Sequence, residues 1–457
     1  MADRRLRVLA IFLAAALVLA SGCARNPDPV NSSRDKSVRD NPGPRDPSKL
    51  NLLFITLDDL NTSLGTYGHP TVKSPNIDRL ARRGTRFDRA YAQFSLCNPS
   101  RTSFMSGRRP ETTGVLKNSN RVRTKLRDAE FLPEYFSRNG YFTAAIGKVM
   151  HDRVPNALKW DVFEDVEQVG GVPDEKQCGG HWWCATDNKD EEEHDGRVAR
   201  KIIQLIDQNK DRPFFIAAGF SRPHAPYYAP RKYFDLYPLE NIPLPDPNPS
   251  DQTTDEDKRL SRAGYYACVS FIDAQIGLIL DELERTGLAA NTVIVFTSDH
   301  GYHLGEHGIW DKKTLYEESV RVPLIVVAPN RQPGASSQRL VELVDLYPTL
   351  TDLCGLPTPE GLEGTSFVPL LTNPARPWKA AVFSLTIKSK KSPLFRSVRT
   401  ERYAYIESAD SDPDELYDHQ TDPKEMKNLA GDPRYRKTVA EMKQLLEQGW
   451  RKAVPPA

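Results

Sequence analysis

The sequence predicts an α/β fold with a mostly parallel central sheet covered on both faces, and three of its features carry that expectation. Between residues 50 and about 370, short apolar runs alternate with segments of helical periodicity, as in strands joined by helical crossovers. The runs are apolar along their whole length instead of alternating with polar residues, which is what strands buried on both faces require. Charged or imidazole side chains follow directly after four of the runs, where open α/β sheets place their sites.

The elements follow in order. Residues 52–57 read as the first buried strand. Ser74 and Pro75 supply an N-cap and first-turn pair for a helix that Gly84 closes. Residues 131–139 are helical up to Gly140, with a strand over 141–146; residues 198–208 form a helix and 214–220 a strand. A long amphipathic helix over 258–285, stopped by Gly287, precedes a strand over 292–297; a strand over 322–328 and a helix over 341–353 complete the series. After the Pro-containing stretch 371–378 the character changes. Residues 381–385, 395–399 and 403–407 read as short antiparallel strands and 435–450 as a closing helix. The expected division is a larger domain over 50–370 and a small antiparallel-sheet subdomain over 371–457. No internal repeat is evident.

The amino terminus reads as an export leader over residues 1–23. Arg4, Arg5 and Arg7 precede an apolar run from Val8 to Ala20 and the small residues Ser21, Gly22 and Cys23, too short a run for a spanning helix. The ending resembles a bacterial lipobox, in which Cys23 is lipidated; Ala20 stands where such motifs usually carry Leu, and an ordinary cleaved leader is the alternative. Residues 24–49, rich in Pro, Asp, Ser and Arg, read as a disordered tether. The chain is therefore expected in the periplasm or at the cell surface, held by a lipid anchor. Export permits disulfides, and Cys178 and Cys184 flank a short Gly-Gly-His-Trp-Trp loop that they can close. Cys268 and Cys354 read as buried free thiols. With 62 basic and 61 acidic side chains, no basic excess points to a nucleic-acid partner.

The residues after the strands define the chemistry. Asp58 and Asp59 follow the first strand, Lys148 and His151 the 141–146 strand, His224 the 214–220 strand, and Asp299 and His300 the 292–297 strand. Three carboxylates brought together repel unless a cation compensates them, so a hard divalent ion with oxygen ligands is expected. His300 complicates the choice, because imidazole suits zinc better than calcium. Cys97 stands two residues before Pro99, a residue suited to a first helical turn. Amide N–H groups of that helix start would face an anion near Cys97, and Arg101, one turn on, could pair with two oxygens of a tetrahedral anion.

The run Cys97-Asn98-Pro99-Ser100-Arg101, with Gly107-Arg108 downstream, resembles the signature of the type I sulfatases. The likeness extends through Asp58-Asp59, Gly147-Lys148-Val149-Met150-His151, Pro223-His224, Ser298-Asp299-His300-Gly301, Leu304-Gly305-Glu306-His307-Gly308 and the segment from Glu415 to Leu429. The Asp-His-Gly form with Gly-Glu-His-Gly after it is most similar to the iduronate-2-sulfatase branch. This resemblance implies an alkaline-phosphatase-like sandwich and a sulfuric ester hydrolase. It also implies that a maturation enzyme oxidises Cys97 to formylglycine (3-oxoalanine), whose hydrated aldehyde is the nucleophile. Asp58, Asp59, Asp299, His300 and the modified Cys97 would hold one calcium ion. Arg101 and the metal would sharpen the nucleophile, and His151 would act as the base that expels sulfate. Lys148 and Lys312 would pair with sulfate oxygens, Lys313 being the competing choice for the second. His224 would protonate the leaving oxygen or bind sulfate. Glu306, His303 and His307 would support the site or touch substrate; His181, Trp182 and Trp183 would stack on a sugar ring or pack their loop; His194 reads as a solvated helix start. The substrate implied is a sulfated carbohydrate, with a 2-sulfated uronic acid as the branch-specific expectation. Two rivals stand beside it: a phosphatase or phosphonate monoester hydrolase of the same superfamily, and a surface lipoprotein that binds sulfated glycans without turnover.

Overall fold

The computed structural model describes residues 49–151, 158–171, 178, 182–387, 394–408 and 413–455. The expected leader with Cys23, the tether up to residue 48 and His181 lie outside these residues.

The described residues form fourteen strands. In chain order they are β1 (Asn51–Asp58), β2 (Thr85–Tyr91), β3 (Phe142–Gly147), β4 (Val162–Glu164), β5 (Trp183–Thr186), β6 (Phe214–Pro223) and β7 (Tyr227–Pro230). Then come β8 (Thr292–Ser298), β9 (Arg321–Val327), β10 (Ala335–Glu342), β11 (Val382–Thr386), β12 (Phe395–Arg399), β13 (Tyr403–Glu407) and β14 (Glu415–Asp418). Eight of them form the central sheet in the order β10-β2-β9-β8-β1-β6-β3-β4. It is mostly parallel, as expected. The exception is β9, which runs antiparallel to both β2 and β8.

Alternation along β1 shows why a continuous apolar run was needed. Leu53, Ile55 and Leu57 pack with the Pro75–Arg83, His194–Gln208 and Asp255–Arg285 helices, while Leu52 and Phe54 face Phe104, Leu132, Phe136 and Leu346 on the other side. The Asp255–Arg285 helix is long and apolar enough to cross a membrane, yet its apolar stretch is almost wholly buried inside the fold. The helix from Pro75 starts where expected, but Ser74 does not cap it. Asp273, on the long helix, accepts from the amides of Asn76 and Ile77 (3.0 and 2.8 Å) and supplies the cap from a distance in sequence.

Strands β2 and β10 were not evident in the sequence. Thr85–Tyr91 alternates charged and apolar residues, and Ala335–Glu342 is largely polar at the sheet edge, so neither shows the continuous run of a central strand. The helix expected over 341–353 accordingly starts later, at Leu346. Four strands, β11-β12-β13-β14, make a separate antiparallel sheet backed by the Arg436–Gln448 helix through Phe383, Val398, Leu416, Met442 and Leu446. This sheet braces the approach to Cys97: the Leu385 amide donates to Gln93 O (2.9 Å), and Ser95 Oγ donates to Thr386 Oγ1 (2.8 Å).

A buried ionic network ties the small sheet to the main body. Lys379, just before β11, donates to Glu342 Oε2 (2.8 Å) and Asp345 Oδ1 (2.7 Å), and Arg109 forms a two-point pair with Glu342 (2.9 and 2.6 Å). Removing one cation leaves a carboxylate buried without its partner. Lys379→Met is expected to lower stability by about 3–5 kcal/mol, read from urea denaturation.

Candidate active site

The carboxyl ends of β1, β3, β6 and β8 converge as the sequence predicts. Asp58 closes β1, and Asp59 turns the chain away with a left-handed φ of +66°. Asp299 and His300 follow β8, and all four are buried. Lys148 follows β3 through Gly147, whose φ is +74° and where an added Cβ would strike the Gly219 carbonyl of β6. That close approach lets the Lys148 amide donate to Gly219 O (2.8 Å) and turns its side chain onto Asp58.

Three carboxylates are matched by three cations. Lys148 pairs with Asp58, Lys312 Nζ lies 2.6 Å from Asp59 Oδ1, and Arg101 Nε donates to Asp299 Oδ2 (2.8 Å). Burial alone would raise the acids, but Lys148 holds Asp58 well below the usual carboxylate range and Lys312 lowers Asp59. Lys312 is the site lysine; Lys313 pairs at the surface with Asp311.

Cys97 begins the Cys97–Ser106 helix. His300 Nε2 lies 3.3 Å and Lys312 Nζ 3.4 Å from its Sγ. Ligand atoms of Asp58, Asp59, Cys97 and His300 all lie within 4.8 Å of one another. Asp58 Oδ1 is buried with no hydrogen-bond partner among the described residues, and Arg101 lies 3.5 Å from it. An unpartnered carboxylate oxygen, a second carboxylate and an imidazole fit a divalent cation. Asp299, expected as a fifth ligand, borders this set, its Oδ2 3.7 Å from His300 Nε2; its Oδ1 accepts from the amides of Asp59 (3.2 Å) and His300 (2.9 Å), and Arg101 donates to Oδ2.

Two groups expected at the anion bond to the surrounding frame. Arg101 is the first. It is fully buried, and besides Asp299 it donates to the carbonyls of Lys148, Val149 (3.1 Å) and Leu57 (3.2 Å), which uses four of its five N–H groups, with Asp58 Oδ1 3.5 Å from its Nη2. The amides at the helix start are also taken. Asn98 N–H donates to Asn118 Oδ1 (3.0 Å), Pro99 has no N–H, and Ser100 N–H donates to Leu96 O (3.1 Å). Arg101 and the helix start therefore hold the pocket's frame, and Lys148 and Lys312 are the lysines paired with its carboxylates.

The expected histidines sit at the rim. His224 presents Nε2 3.7 Å from Asp59 Oδ2, with Nδ1 2.5 Å from the Ala225 carbonyl; burial and Lys312 lower its pKa. His151 neighbours Lys148 and Asp58, and burial followed by Lys148 pushes its pKa down to about 3. Its Nδ1 has no hydrogen-bond partner among the described residues. Glu306 and His307 brace the loop after β8: Glu306 pairs with Arg262 (2.7 Å), and His307 stacks on Tyr316 at 4.2 Å. His303, also buried, lies 2.8 Å from Thr314 Oγ1. Cys178 and Cys184 form the expected disulfide, and Cys268 and Cys354 are buried thiols. Trp183 belongs to β5, paired with Tyr227 of β7, and Trp182 is exposed. A second group with metal-ligand spacing, Glu317, His419 and Glu425, is already compensated by Arg399, which lies 3.0 Å from Glu317 and 3.5 Å from Glu425.

Several supporting groups carry no signal in the sequence. Ser100 Oγ donates to Asp299 O (2.5 Å), and Asn98 Nδ2 donates to three carbonyls of residues 117–120. Tyr265 Oη donates to Asp59 O (2.8 Å) and accepts from the Asn61 amide (2.9 Å). Inside an apolar helix that tyrosine has no pattern distinguishing it from core packing.

A carboxylate, imidazole and thiol centre at the carboxyl edge of a doubly covered, mostly parallel sheet defines an alkaline-phosphatase-like hydrolase of anionic esters. The chain belongs to the sulfatase family, whose model matches residues 50–356, and is a sulfuric ester hydrolase. A model of the C-terminal region of N-sulphoglucosamine sulphohydrolase matches residues 305–452. The chain is 34% identical to a sulfatase of Formosa agariphila, over 87% of this chain and 86% of that one. It is 35% identical to iduronate 2-sulfatase of Homo sapiens, over 70% and 71%. In fold it is similar to the phosphonate monoester hydrolase of Agrobacterium radiobacter, with a TM-score of 0.77, 23% identity and coverage of 88% and 95%.

The segment bearing His224 is held by a clamp concealed in the acidic run from Asp190 to Asp195. Asp195 accepts from the amides of Ser221 (2.9 Å) and Arg222 (2.8 Å), and His194 bridges Asp195 (2.8 Å) and Asp165 (3.5 Å). His194 is thus ion-paired, not solvated. Burial would lower its pKa, but the bonds to Asp165 and Asp195 outweigh that and raise it to about 9. The stabilisation is complete below the unfolded value near pH 6.5 and lost as pH rises through about 9. His194→Gln should therefore cost about 1–2 kcal/mol at pH 6 and little at pH 10, read from melting curves at both.

Proposed function

We propose that this enzyme hydrolyses sulfate esters of carbohydrates, using a formylglycine made from Cys97 and a bound calcium ion. The observation that carries the proposal is the meeting of Asp58, Asp59, His300 and residue 97 within one buried ligand set, with Lys148 and Lys312 beside it. Asp58, Asp59 and His300 would hold the cation next to residue 97. When present, the cation supplies Lewis acidity and the oxidised residue 97 an oxygen nucleophile in place of sulfur.

The chain's own residues supply the rest. Its three buried carboxylates and three cations balance, so a divalent ion makes the pocket net positive and favourable for an anionic ester. Lys148 and Lys312 would then turn from the carboxylates toward the sulfate oxygens, where charge develops in the transition state. Burial keeps His151 neutral, the state a proton acceptor needs, and its Nδ1 has no partner among the described residues. His224, its Nδ1 tied to the Ala225 carbonyl, offers Nε2 to the leaving oxygen. Arg101 acts from behind, fixing Asp58 and Asp299.

A sulfated uronic acid is the favoured substrate, supported by the similarity to iduronate 2-sulfatase and by the run Asp299-His300-Gly301 with Gly305-Glu306-His307-Gly308. Export and lipid attachment at Cys23 remain part of the proposal, supported by the basic and apolar amino terminus.

The decisive test is mass spectrometry of the tryptic peptide ending at Arg101, with parallel rates on an aryl sulfate and an aryl phosphate. An aldehyde at residue 97, preference for the sulfate and reversible loss of activity on chelation are expected. Cys97→Ala should reduce turnover by more than about 1000-fold while leaving the melting curve cooperative. An intact thiol in fully active protein, or faster hydrolysis of the phosphate, would overturn the assignment.

A further inference from the structure

Asp59 occupies the left-handed region, which a residue with a side chain adopts only when its surroundings enforce it. The constraint comes from two sides. From β8, Asp299 Oδ1 accepts the Asp59 amide (3.2 Å) and Ser298 Oγ accepts the Leu60 amide (2.9 Å). From the Asp255–Arg285 helix, the Tyr265 hydroxyl donates to the Asp59 carbonyl (2.8 Å) and accepts from the Asn61 amide (2.9 Å). One hydroxyl thus closes the turn by satisfying a buried acceptor and a buried donor two residues apart.

The ring is as constrained as its hydroxyl. Tyr265 is 0% exposed, lies edge-on to Tyr227 with centroids 5.7 Å apart, and stacks with Tyr302 at 6.4 Å. Tyr227 lies three residues after His224 and Tyr302 two after His300. The segments bearing Asp59, His224 and His300 therefore pack on one side chain. With the turn held, the Asp59 carboxylate points at Lys312 (2.6 Å) and lies 3.5 Å from His300 Nδ1.

We propose that Tyr265 is a positioning residue of the cation centre: by bridging Asp59 and Asn61 it enforces the left-handed turn that aims the Asp59 carboxylate into the ligand set. This rests on the reading of that centre as a cation site, and the experiment separates the two. Tyr265→Phe keeps the ring and removes the bridge. Tyr266→Phe, its helix neighbour, is the control, since the Tyr266 hydroxyl bonds to neither Asp59 nor Asn61.

The full chain is stripped with chelator, and calcium affinity is measured by titration calorimetry and by the calcium-induced rise in melting temperature. Tyr265→Phe is expected to weaken calcium binding about 10- to 100-fold and to shrink the calcium-induced rise. At saturating calcium its kcat should recover towards wild type. Tyr266→Phe should bind calcium as wild type does. Equal calcium affinity in Tyr265→Phe and wild type would overturn the proposal while leaving the cation centre intact, as would an equal loss in both variants. If wild type itself bound no calcium, the cation reading would fall, and this proposal with it.

Discussion

Three carboxylates share one water-poor pocket, and the surrounding structure is arranged around neutralising them. Unpaired, any one would carry a desolvation cost of several kcal/mol. The chain meets that cost with three cations drawn from distant segments: Arg101 for Asp299, Lys148 for Asp58 and Lys312 for Asp59. The division of labour among them follows from shape. Arg101 has a planar fork that satisfies several fixed oxygens at once, so it is fully buried as part of the frame. The lysines carry compact charges on flexible stems and can exchange a carboxylate for an anion.

That frame depends on braces outside the sheet that carries it. The small antiparallel sheet is hydrogen-bonded to residues 92–95, the approach to the Cys97–Ser106 helix. Its own attachment is ionic and buried, through Lys379 with Glu342 and Asp345. The Asp195 and His194 clamp does the same for the segment carrying His224. Each strand end that offers a reactive group is therefore held by a partner remote in sequence, as expected where catalytic geometry must be fixed to fractions of an ångström.

Much of this was legible because the central strands announce themselves. β1, β3, β6, β8 and β9 are buried on both faces and so read as unbroken apolar runs. β2 and β10 were missed because they alternate or turn polar toward the sheet edge, where one face or one side meets water. Asp58, Asp59, Lys148, His224, Asp299 and His300 could be found because site residues follow strands. The orientation of Arg101 could not: whether a guanidinium one turn into a helix faces the pocket or the carbonyls behind it depends on which oxygens the folded chain leaves unsatisfied. The choice of Lys312 over Lys313 was equally closed to local reasoning, since adjacent lysines differ only in which side of the loop faces inward.

The sequence by itself determined the sheet-and-helix alternation, the family signature at Cys97 and the residue types at the strand ends, because periodicity and adjacency are properties of the chain. Only the tertiary structure decided which charges oppose which, that Asp299 serves Arg101 and two amides, and that Tyr265 and Asp195 hold the segments bearing Asp59 and His224. Those assignments depend on distances between atoms up to some 250 residues apart. Pairing of buried charges and hydrogen bonds is settled by what each atom finds within about 3 Å once the core has closed.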